Sequence, residues 1–435
     1  MRVLIAIAAL LFGVSTIAED NEFDEFDSEL ESSFDDEVVE HNEEKDTAIY
    51  GSVVFEAHYN YQPDNATKNL SSAKSLIDLI GEHKLDGGSK IKANLKAYHD
   101  FIYSSGLGNY TKTPSGYKDE LNLNELYLEG SISDKIDYRV GRQIVVWGKA
   151  DMLRINDILN PLDIRIPGMV DIRNLRLGKN MSKLDYYHGN FNLSLIAIHE
   201  KRFSKLPSQY SDFRPLLADK EIEKPSSNIK NTGLALGLIG TFKSYDVALY
   251  VADTYIDKPY LTNGKLHYDT KSKMFGAAYS KALDNYLFKA EGAYFDKVKY
   301  TGVIDPKPQT DLMLGVEYNG INEGSIMYEA AYRSIKNYDQ DIYSASNQYK
   351  KKNELQQSVS FNKSYQNQTV NFSALATIIG QSTHEGGSAR VQVDYVVNDN
   401  VKVSGGVIDY IGGSNPALED IKNNDRIFVK VAYNF

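Results

Sequence analysis

The sequence predicts a transmembrane antiparallel up-and-down β-barrel of about 18 strands. Apolar and polar residues alternate with a period of two through most of the chain, for example in SARVQVDYVV at 388–397. Short turns and long polar connections succeed each other along the chain. The final stretch, RIFVKVAYNF, alternates in the same way and ends on the aromatic Phe435.

The alternating stretches predict strands with one apolar face. In KIKANLKAYH, the residues Ile91, Ala93 and Leu95 share one face and the lysines share the other. DLMLGVEY at 311–318 and SIMYEAAYR at 325–333 follow the same rule. The composition of 31 Tyr and 31 Gly against 1 Trp also favours strands and tight turns over helices.

Two kinds of connection separate these strands. The short ones contain residues suited to tight turns, at 86–88, 133–135, 188–190, 244–246, 283–285, 322–324 and 398–400. The long polar ones are at 62–74, 104–118, 148–180, 203–229, 256–270, 339–351 and 413–424. This alternation predicts turns at one barrel end and loops at the other. One predicted strand, SLIDLIGEHKL at 75–85, is also compatible with a helix.

The last strand is predicted to close the barrel against the first. Val429 and Val431 would face lipid together with Tyr433 and Phe435, while Lys430 would face the interior. Closure removes the unpaired edge that hydrocarbon does not tolerate. A terminal Phe435 with Tyr433 two residues before it resembles the carboxyl-terminal signature of outer-membrane barrels, which implies the barrel assembly machinery and outer-membrane lipid as partners. A secreted β-sandwich or β-helix is the soluble alternative, but neither requires long strands in a continuous meander.

The amino terminus predicts export. Arg2, an apolar run at 3–14 and the small residues Thr16 and Ala18 are typical of a signal peptide at 1–18. A membrane anchor is the alternative, but the run is shorter than the roughly 20 residues that a spanning helix needs.

An acidic arm is predicted at 19–47, before a barrel at 48–435. Residues 19–46 contain 15 acidic side chains and one Lys, with phenylalanines at helical spacing. The arm would be helical or disordered in the periplasm, either as a solvated tail or as a peptide that docks on a basic partner.

Composition and motifs exclude several functions. Outside the arm, 47 basic and 44 acidic residues nearly balance, so no nucleic-acid partner is predicted. The chain has no Cys, which excludes disulfides and thiolate chemistry. Hydrolase, phosphate-loop and dinucleotide motifs are missing, and the 8 His lack metal-ligand spacing. We predict neither enzyme activity nor a cofactor nor a metal site.

A constriction is predicted where the pattern breaks, after the fifth strand. The segment 148–180 is too apolar for a simple outer loop, and we expect it to fold into the barrel and narrow the lumen with charge. Its charged candidates are Asp151, Arg154, Asp157, Asp163, Arg165, Asp171, Arg173 and Arg176. Arg139 and Arg142 of the preceding strand are also predicted to line the pore, with a bulge at Gly141 turning Arg142 inward.

The predicted lumen wall has mixed charge. Its candidate residues are Lys90, Lys92, Lys96, Arg390 and Asp394. A water-filled lumen needs such residues whatever it transports. The lysines of the third strand could be a solvated wall or a selective ladder for anions, and the sequence leaves both open.

The motif GRQ at 141–143, WG at 147–148, ND at 156–157 and NP at 160–161 is similar to the signature of an uncharacterised family of proteobacterial outer-membrane proteins related to porins. Some members of that family are believed to sit beside inner-membrane pumps that export hydrophobic compounds. The motif would either stabilise the inward loop or contact the substrate. Because the chain is shorter than typical members, the resemblance does not carry their cargo over to it.

The functional hypothesis is an outer-membrane channel of a Gram-negative bacterium that passes small solutes through a lumen narrowed by the loop. One alternative is an accessory of an inner-membrane efflux pump that moves lipophilic cargo. Another is a non-conducting barrel with a structural or surface-binding role. A homotrimer is compatible with the sequence, although no residue marks a subunit contact.

Overall fold

The computed structural model describes residues 46–63, 68–104, 106–108, 110–213, 220–345 and 350–435. The predicted signal peptide and almost all of the acidic arm lie outside the described residues. The α-helices within these ranges are α1 (Ile172–Leu175), α2 (Gln340–Ser344) and α3 (Pro416–Glu419), each at most five residues long. Within the described ranges, no helix is long and apolar enough to cross a membrane.

Eighteen strands form one closed sheet. They are β1 (Thr47–Asn60), β2 (Leu70–Lys84), β3 (Lys90–Asp100), β4 (Asp119–Ser133), β5 (Ile136–Gln143), β6 (Lys179–His188), β7 (Phe191–Ile198), β9 (Gly233–Thr241), β10 (Tyr245–Tyr255), β13 (Lys271–Leu283), β14 (Tyr286–Val298), β15 (Lys307–Ile321), β16 (Gly324–Ile335), β17 (Asn353–Tyr365), β18 (Val370–Ile379), β19 (Gly387–Asn398), β20 (Val401–Ile411) and β21 (Arg426–Asn434). A small separate sheet contains β8 (Ile222–Glu223), β11 (Tyr260–Thr262) and β12 (Lys265–His267).

Every barrel strand pairs antiparallel with its neighbours in chain order, and β21 pairs with β1. The closing register runs from Ser52 opposite Asn434 to Asn60 opposite Arg426. At its end, Gly51 and Phe435 exchange backbone hydrogen bonds of 2.9 and 3.0 Å. The predicted antiparallel barrel of about 18 strands is confirmed, and the stretch 75–85 is part of strand β2.

The strands have an exposed apolar outer face and an inner face whose side chains are much less exposed. In β15, Leu312 and Leu314 are 51 % and 69 % exposed, whereas Met313 between them is 1 % exposed. Successive side chains of a strand point to opposite faces, so this contrast identifies the outer face in each strand. Aromatic and aliphatic side chains such as Phe55 and Leu121 cover the outer face.

The two ends of the barrel differ. At one end, here called the turn end, short connections such as 189–190, 284–285 and 399–400 join the strands. Asp284 there has a φ of 50°, the left-handed conformation that such turns require. At the loop end, long connections join the strands, including 144–178 between β5 and β6 and 199–232 between β7 and β9.

The connection 144–178, called the long loop below, begins earlier than predicted. The fifth strand was expected to continue to Trp147, but β5 ends at Gln143. The next two backbone N–H groups donate to side chains instead of to a neighbouring strand. Ile144 donates to Glu125 at 2.9 Å and Val145 donates to Asn160 at 2.8 Å. These side-chain acceptors replace the ladder, and the chain leaves the wall.

Replacing Phe435 by Ala should reduce assembly without changing the stability of barrels that do assemble. The side chain is 49 % exposed on the outer face, and its backbone pairing with Gly51 needs no aromatic ring. The fraction of compact, heat-modifiable protein in isolated membranes would measure assembly. Phe288→Ala, which removes a 43 % exposed outer ring from β14, is the matched control. Equal loss in both variants would contradict a terminal assembly signal.

Candidate pore constriction

The long loop has two lobes with different contacts. Lobe A, residues 144–160, bonds to inner-face side chains of β10, β14 and β16. Lobe B, residues 161–178, contacts β3 and β4 on one side and β19 and β20 on another. The loop thus has partners on widely separated strands of the closed sheet.

Glu329 of β16 holds the tip of lobe A. It is 0 % exposed and accepts hydrogen bonds from the backbone N–H groups of Asp151 at 2.8 Å, Met152 at 3.0 Å and Leu153 at 2.9 Å. A loop away from any strand has unpaired N–H groups, and leaving them buried without acceptors is costly. One carboxylate satisfies three of them.

Glu291 of β14 performs the same task two strands away. It accepts the N–H groups of Lys149, of Ala150 at 2.7 Å and of Asn156 at 3.1 Å, and also the Asn156 side-chain amide at 2.9 Å. Gly148 makes this approach possible, because its φ is 94° and a Cβ there would collide with the Glu291 carboxylate. A glycine is therefore required on both steric and backbone grounds.

Apolar packing covers the rest of lobe A. Trp147 stacks on Tyr250 of β10 with ring centroids 4.7 Å apart. Leu153, Ile155 and Leu159 are at most 3 % exposed and belong to a core formed with inner-face residues of β6 to β16. These apolar residues of lobe A are thus buried against side chains of the strands.

A buried polar joint connects the two lobes. Asn160 accepts from the Val145 N–H and donates to the carbonyls of Gln143 at 3.2 Å and Leu177 at 2.9 Å. Asp157, 5 % exposed, pairs with Arg154 at 3.2 Å and Arg176 at 2.9 Å. A carboxylate with two guanidinium partners can be buried at little cost only when all three stay together.

Lobe B contacts β4 through a cluster of charges. Arg165 pairs with Glu120 at 2.7 Å and with Asp163, and Lys205 also pairs with Glu120. Burial raises the pKa of Asp163, but the hydrogen bond from Arg165 and the charges of Arg165 and Lys205 outweigh burial, so that pKa lies below its ordinary value. Asp163 therefore remains an anion over the whole neutral range.

The far end of lobe B reaches β19 and β20. Tyr410 donates to the Pro167 carbonyl at 2.6 Å, and Arg390 donates to the Gly168 carbonyl at 3.2 Å and pairs with Asp171. Met169 packs beside Phe428 in a second buried apolar cluster.

The predicted constriction residues of the long loop therefore fall into three groups. Asp163 and Arg165 belong to the charge cluster that contacts β4. Arg154, Asp157 and Arg176 are held in the joint between the lobes. Asp151 and Asp171 are each 45 % exposed, and Arg173 is also exposed, so these three are available to solvent.

The prediction for Arg142 was wrong. Gly141 has a φ of 131°, but the register with both neighbouring strands is continuous through it, so no bulge turns the chain. Arg142 lies opposite Leu126, an outer-face residue that is 45 % exposed. It pairs with Glu200 at 2.8 Å on that same face, away from the lumen.

The predicted wall lysines all have acidic partners. Lys90 and Lys92 each lie 3.2 Å from Glu82, and Lys96 lies 3.1 Å from Asp78. Arg139 pairs with Glu129 at 2.7 Å. The side chains in these pairs are 20 % to 35 % exposed, so the inner wall here is open to water. Asp394 accepts from Gln392 at 2.9 Å.

A second connection also reaches across to β21. Asp212, from the loop after β7, pairs with Arg426 of β21 at 2.8 Å and accepts from Tyr110 at 3.0 Å. Both side chains of the ion pair are at most 6 % exposed. We call this contact the latch. Sequence patterns did not single out Asp212, Arg426 or Glu291, and only the inward parity of a charge on an otherwise apolar strand could have indicated Glu291.

Three polar residues of the signature are buried in this arrangement. Gln143, Asn156 and Asn160 are 0 % exposed, and each bonds to backbone or to Glu291. Together with Trp147 and Gly148 they connect the long loop to the wall. Within the described part of the chain, no group of three or more His, Cys, Asp or Glu side chains could hold a metal ion.

Several solved structures are similar to this chain, and they include bacterial porins. OccAB2 of Acinetobacter baumannii is 11 % identical with a TM-score of 0.53, and the match covers 89 % of this chain and 98 % of that one. OccAB1 of the same organism is 12 % identical with a TM-score of 0.49, covering 89 % and 96 %. OmpF of Salmonella typhi, in complex with daunomycin, is 10 % identical with a TM-score of 0.43, covering 89 % and 97 %. At these identities the likeness concerns the fold.

The fold defines the class as a closed 18-strand barrel of porin-like architecture. A family model described as "Protein of unknown function (DUF1302)" matches residues 1–435, so the chain belongs to this family. A search of curated proteins found no match.

Replacing Glu329 by Gln should loosen lobe A. One carboxylate oxygen becomes an amide that cannot accept from Asp151, and charge-assisted hydrogen bonds contribute about 1.5–3 kcal/mol each. We expect amide exchange in 150–154 to become roughly 10- to 100-fold faster. Fluorescence of Trp147, the only tryptophan, gives a second measurement. Glu385→Gln at the loop end is the control, and unchanged exchange in Glu329→Gln would show that the carboxylate does not hold the lobe.

Acid should release lobe B only below the ordinary titration range of Asp. Because the pKa of Asp163 is lowered in the folded chain, its ion pairs stabilise the lobe above the ordinary value of about 3.9 and are lost as pH falls through the lowered value. Pepsin cleavage within 161–178, mapped by mass spectrometry along an acid series, would report the release. Asp163→Asn should be cleaved throughout the series. Release of the wild-type lobe above the ordinary value would contradict the assignment.

Proposed function

We propose that this protein is an outer-membrane channel that passes small solutes through a lumen narrowed by the long loop. The principal support is that one part of the inner wall is covered by lobe A while another part presents partly exposed charged side chains. Lobe A packs against β10 to β16 with buried carboxylates and apolar side chains. The wall of β2 to β5 instead presents charged side chains that are 20 % to 35 % exposed.

Membrane insertion is proposed from the outer face. Exposed side chains such as Leu121, Leu314 and Phe435 form an apolar surface that water would solvate poorly. A closed sheet leaves no strand edge unpaired, as a bilayer requires. The turn end would face the periplasm and the loop end the cell exterior, following the usual arrangement of such barrels. The signal peptide at 1–18 and the acidic periplasmic arm at 19–47 remain part of this proposal.

A non-conducting barrel is the second candidate, and the latch favours it. The loop after β7 reaches β21 through the buried pair of Asp212 and Arg426, in addition to the long loop. If both connections stay in place, the loop end of the lumen would be closed to solutes.

Single-channel recording in planar bilayers separates the two candidates. Wild-type protein should conduct, and Asp212→Asn should conduct more, since it leaves Arg426 without its buried partner and releases the loop. Asp305→Asn, an exposed carboxylate at the loop end, should behave as wild type.

The two other conductance results would decide against an open wild-type channel. Current only from Asp212→Asn would identify a barrel closed by its latch. Silence from both wild type and Asp212→Asn, with heat-modifiable folded protein in each sample, would overturn the channel proposal.

A further inference from the structure

Basic side chains on the inner wall of β2 to β5 are neutralised by register. Lys96 lies directly opposite Asp78, Lys92 opposite Glu82, and both Lys90 and Arg139 opposite Glu129. Lys74 of β2 likewise lies opposite Glu56 of β1, at 3.1 Å. Four carboxylates thus face five basic side chains. Charges paired across neighbouring strands largely cancel at the distance of a passing ion, so this wall offers only a weak field to an anion or a cation.

A second part of the inner wall has hydroxyl and amide groups in place of charge. We call it the neutral strip: Asn362 of β17 and Asn371, Ser373 and Thr377 of β18, all of them partly exposed.

The register assigns the neutral strip to the inner face. Ser360 lies opposite Leu375, Leu375 lies opposite Arg390, and Arg390 bonds to the long loop inside the barrel. Asn362 is opposite Ser373, while Ser358 and Thr377 share a hydrogen bond of 2.6 Å. Hydroxyl and amide groups both donate and accept, so such a surface can exchange hydrogen bonds with an uncharged polar solute.

Lobe A covers much of the remaining inner wall, so a solute cannot contact that part. Its residues Leu153, Ile155 and Leu159 cover inner-face apolar side chains of β6 to β16, and all of these are buried. The uncovered inner surfaces therefore include the neutralised wall and the neutral strip. The neighbouring charges of β19 and β21 also have partners, because Asp394 accepts from Gln392 and Lys430 lies 3.8 Å from Glu56. A lipophilic solute would have to desolvate these polar groups without replacing their hydrogen bonds, which is unfavourable.

We propose that the transported solutes are small uncharged hydrophilic molecules with several hydroxyl groups, of the size of a simple sugar. This inference rests on the proposed channel function and specifies its substrate class. Neither sign of charge gains much from the wall of paired residues, whereas a polyhydroxylated solute can bond to the neutral strip at each step of its passage.

The test compares three sugars of equal size and different charge. Proteoliposomes with symmetric KCl, so that no membrane potential opposes an ion, are given radiolabelled glucose, glucuronate or glucosamine at tracer concentration. Glucose should enter at least as fast as either charged sugar, and the reversal potential in a KCl gradient should stay close to zero. Entry of glucuronate or glucosamine several-fold faster than glucose would overturn the inference.

Two variants connect the result to the residues. Asn362→Leu combined with Ser373→Leu should lower glucose entry several-fold, while Val359→Leu on the outer face of β17 should have no effect. Glu82→Gln leaves Lys90 and Lys92 without their shared carboxylate, so glucuronate entry should rise and the reversal potential should shift towards anion selectivity. Glucose entry unaffected by the double variant would overturn the role of the neutral strip.

The failures of the two proposals are distinguishable. No entry of any sugar and no KCl current from folded protein would overturn the channel function and the inference together. Entry that favours a charged sugar would overturn the substrate class alone.

Discussion

A backbone segment that leaves a closed sheet has no strand beside it, and acceptors for its buried N–H groups must come from other side chains. Glu291 and Glu329 provide them for lobe A, where they accept six backbone N–H groups between Lys149 and Asn156. A carboxylate has two oxygens with several lone pairs, so it can satisfy a turn of backbone that a single amide or hydroxyl group could not. The position of the long loop depends on this interaction.

Once lobe A is held, the rest of the interior follows from it. The apolar side chains of lobe A pack against inner-face residues that would otherwise be wet, and Gly148 allows the close approach to Glu291. The joint of Arg154, Asp157 and Arg176 then directs lobe B towards the opposite strands, where Arg390 and Tyr410 bind it. The two lobes divide the inner wall into a packed part and a hydrated part.

The hydrated part is polar in two ways. Along β2 to β5, acidic and basic residues face each other across neighbouring strands. These pairs keep the wall hydrated, and most of its net charge cancels. Along β17 and β18, hydroxyl and amide groups replace the charges. The latch between Asp212 and Arg426 acts at a different level, because it concerns access at the loop end and not the chemistry of the wall.

The alternation of apolar and polar residues, together with the spacing of turns, by itself predicted a barrel, its approximate strand count and the face of most side chains. Both patterns are local properties of the sequence. The sequence also located the long loop, because that segment is rich in apolar residues but lacks the alternation of a strand. The partners of that loop were decided by the tertiary structure, because Glu291 and Glu329 lie more than 130 positions away in the chain. Strand register and barrel closure likewise decide the pairing of the β3 lysines, the outward position of Arg142 and the latch. They bring together residues that are far apart in the sequence.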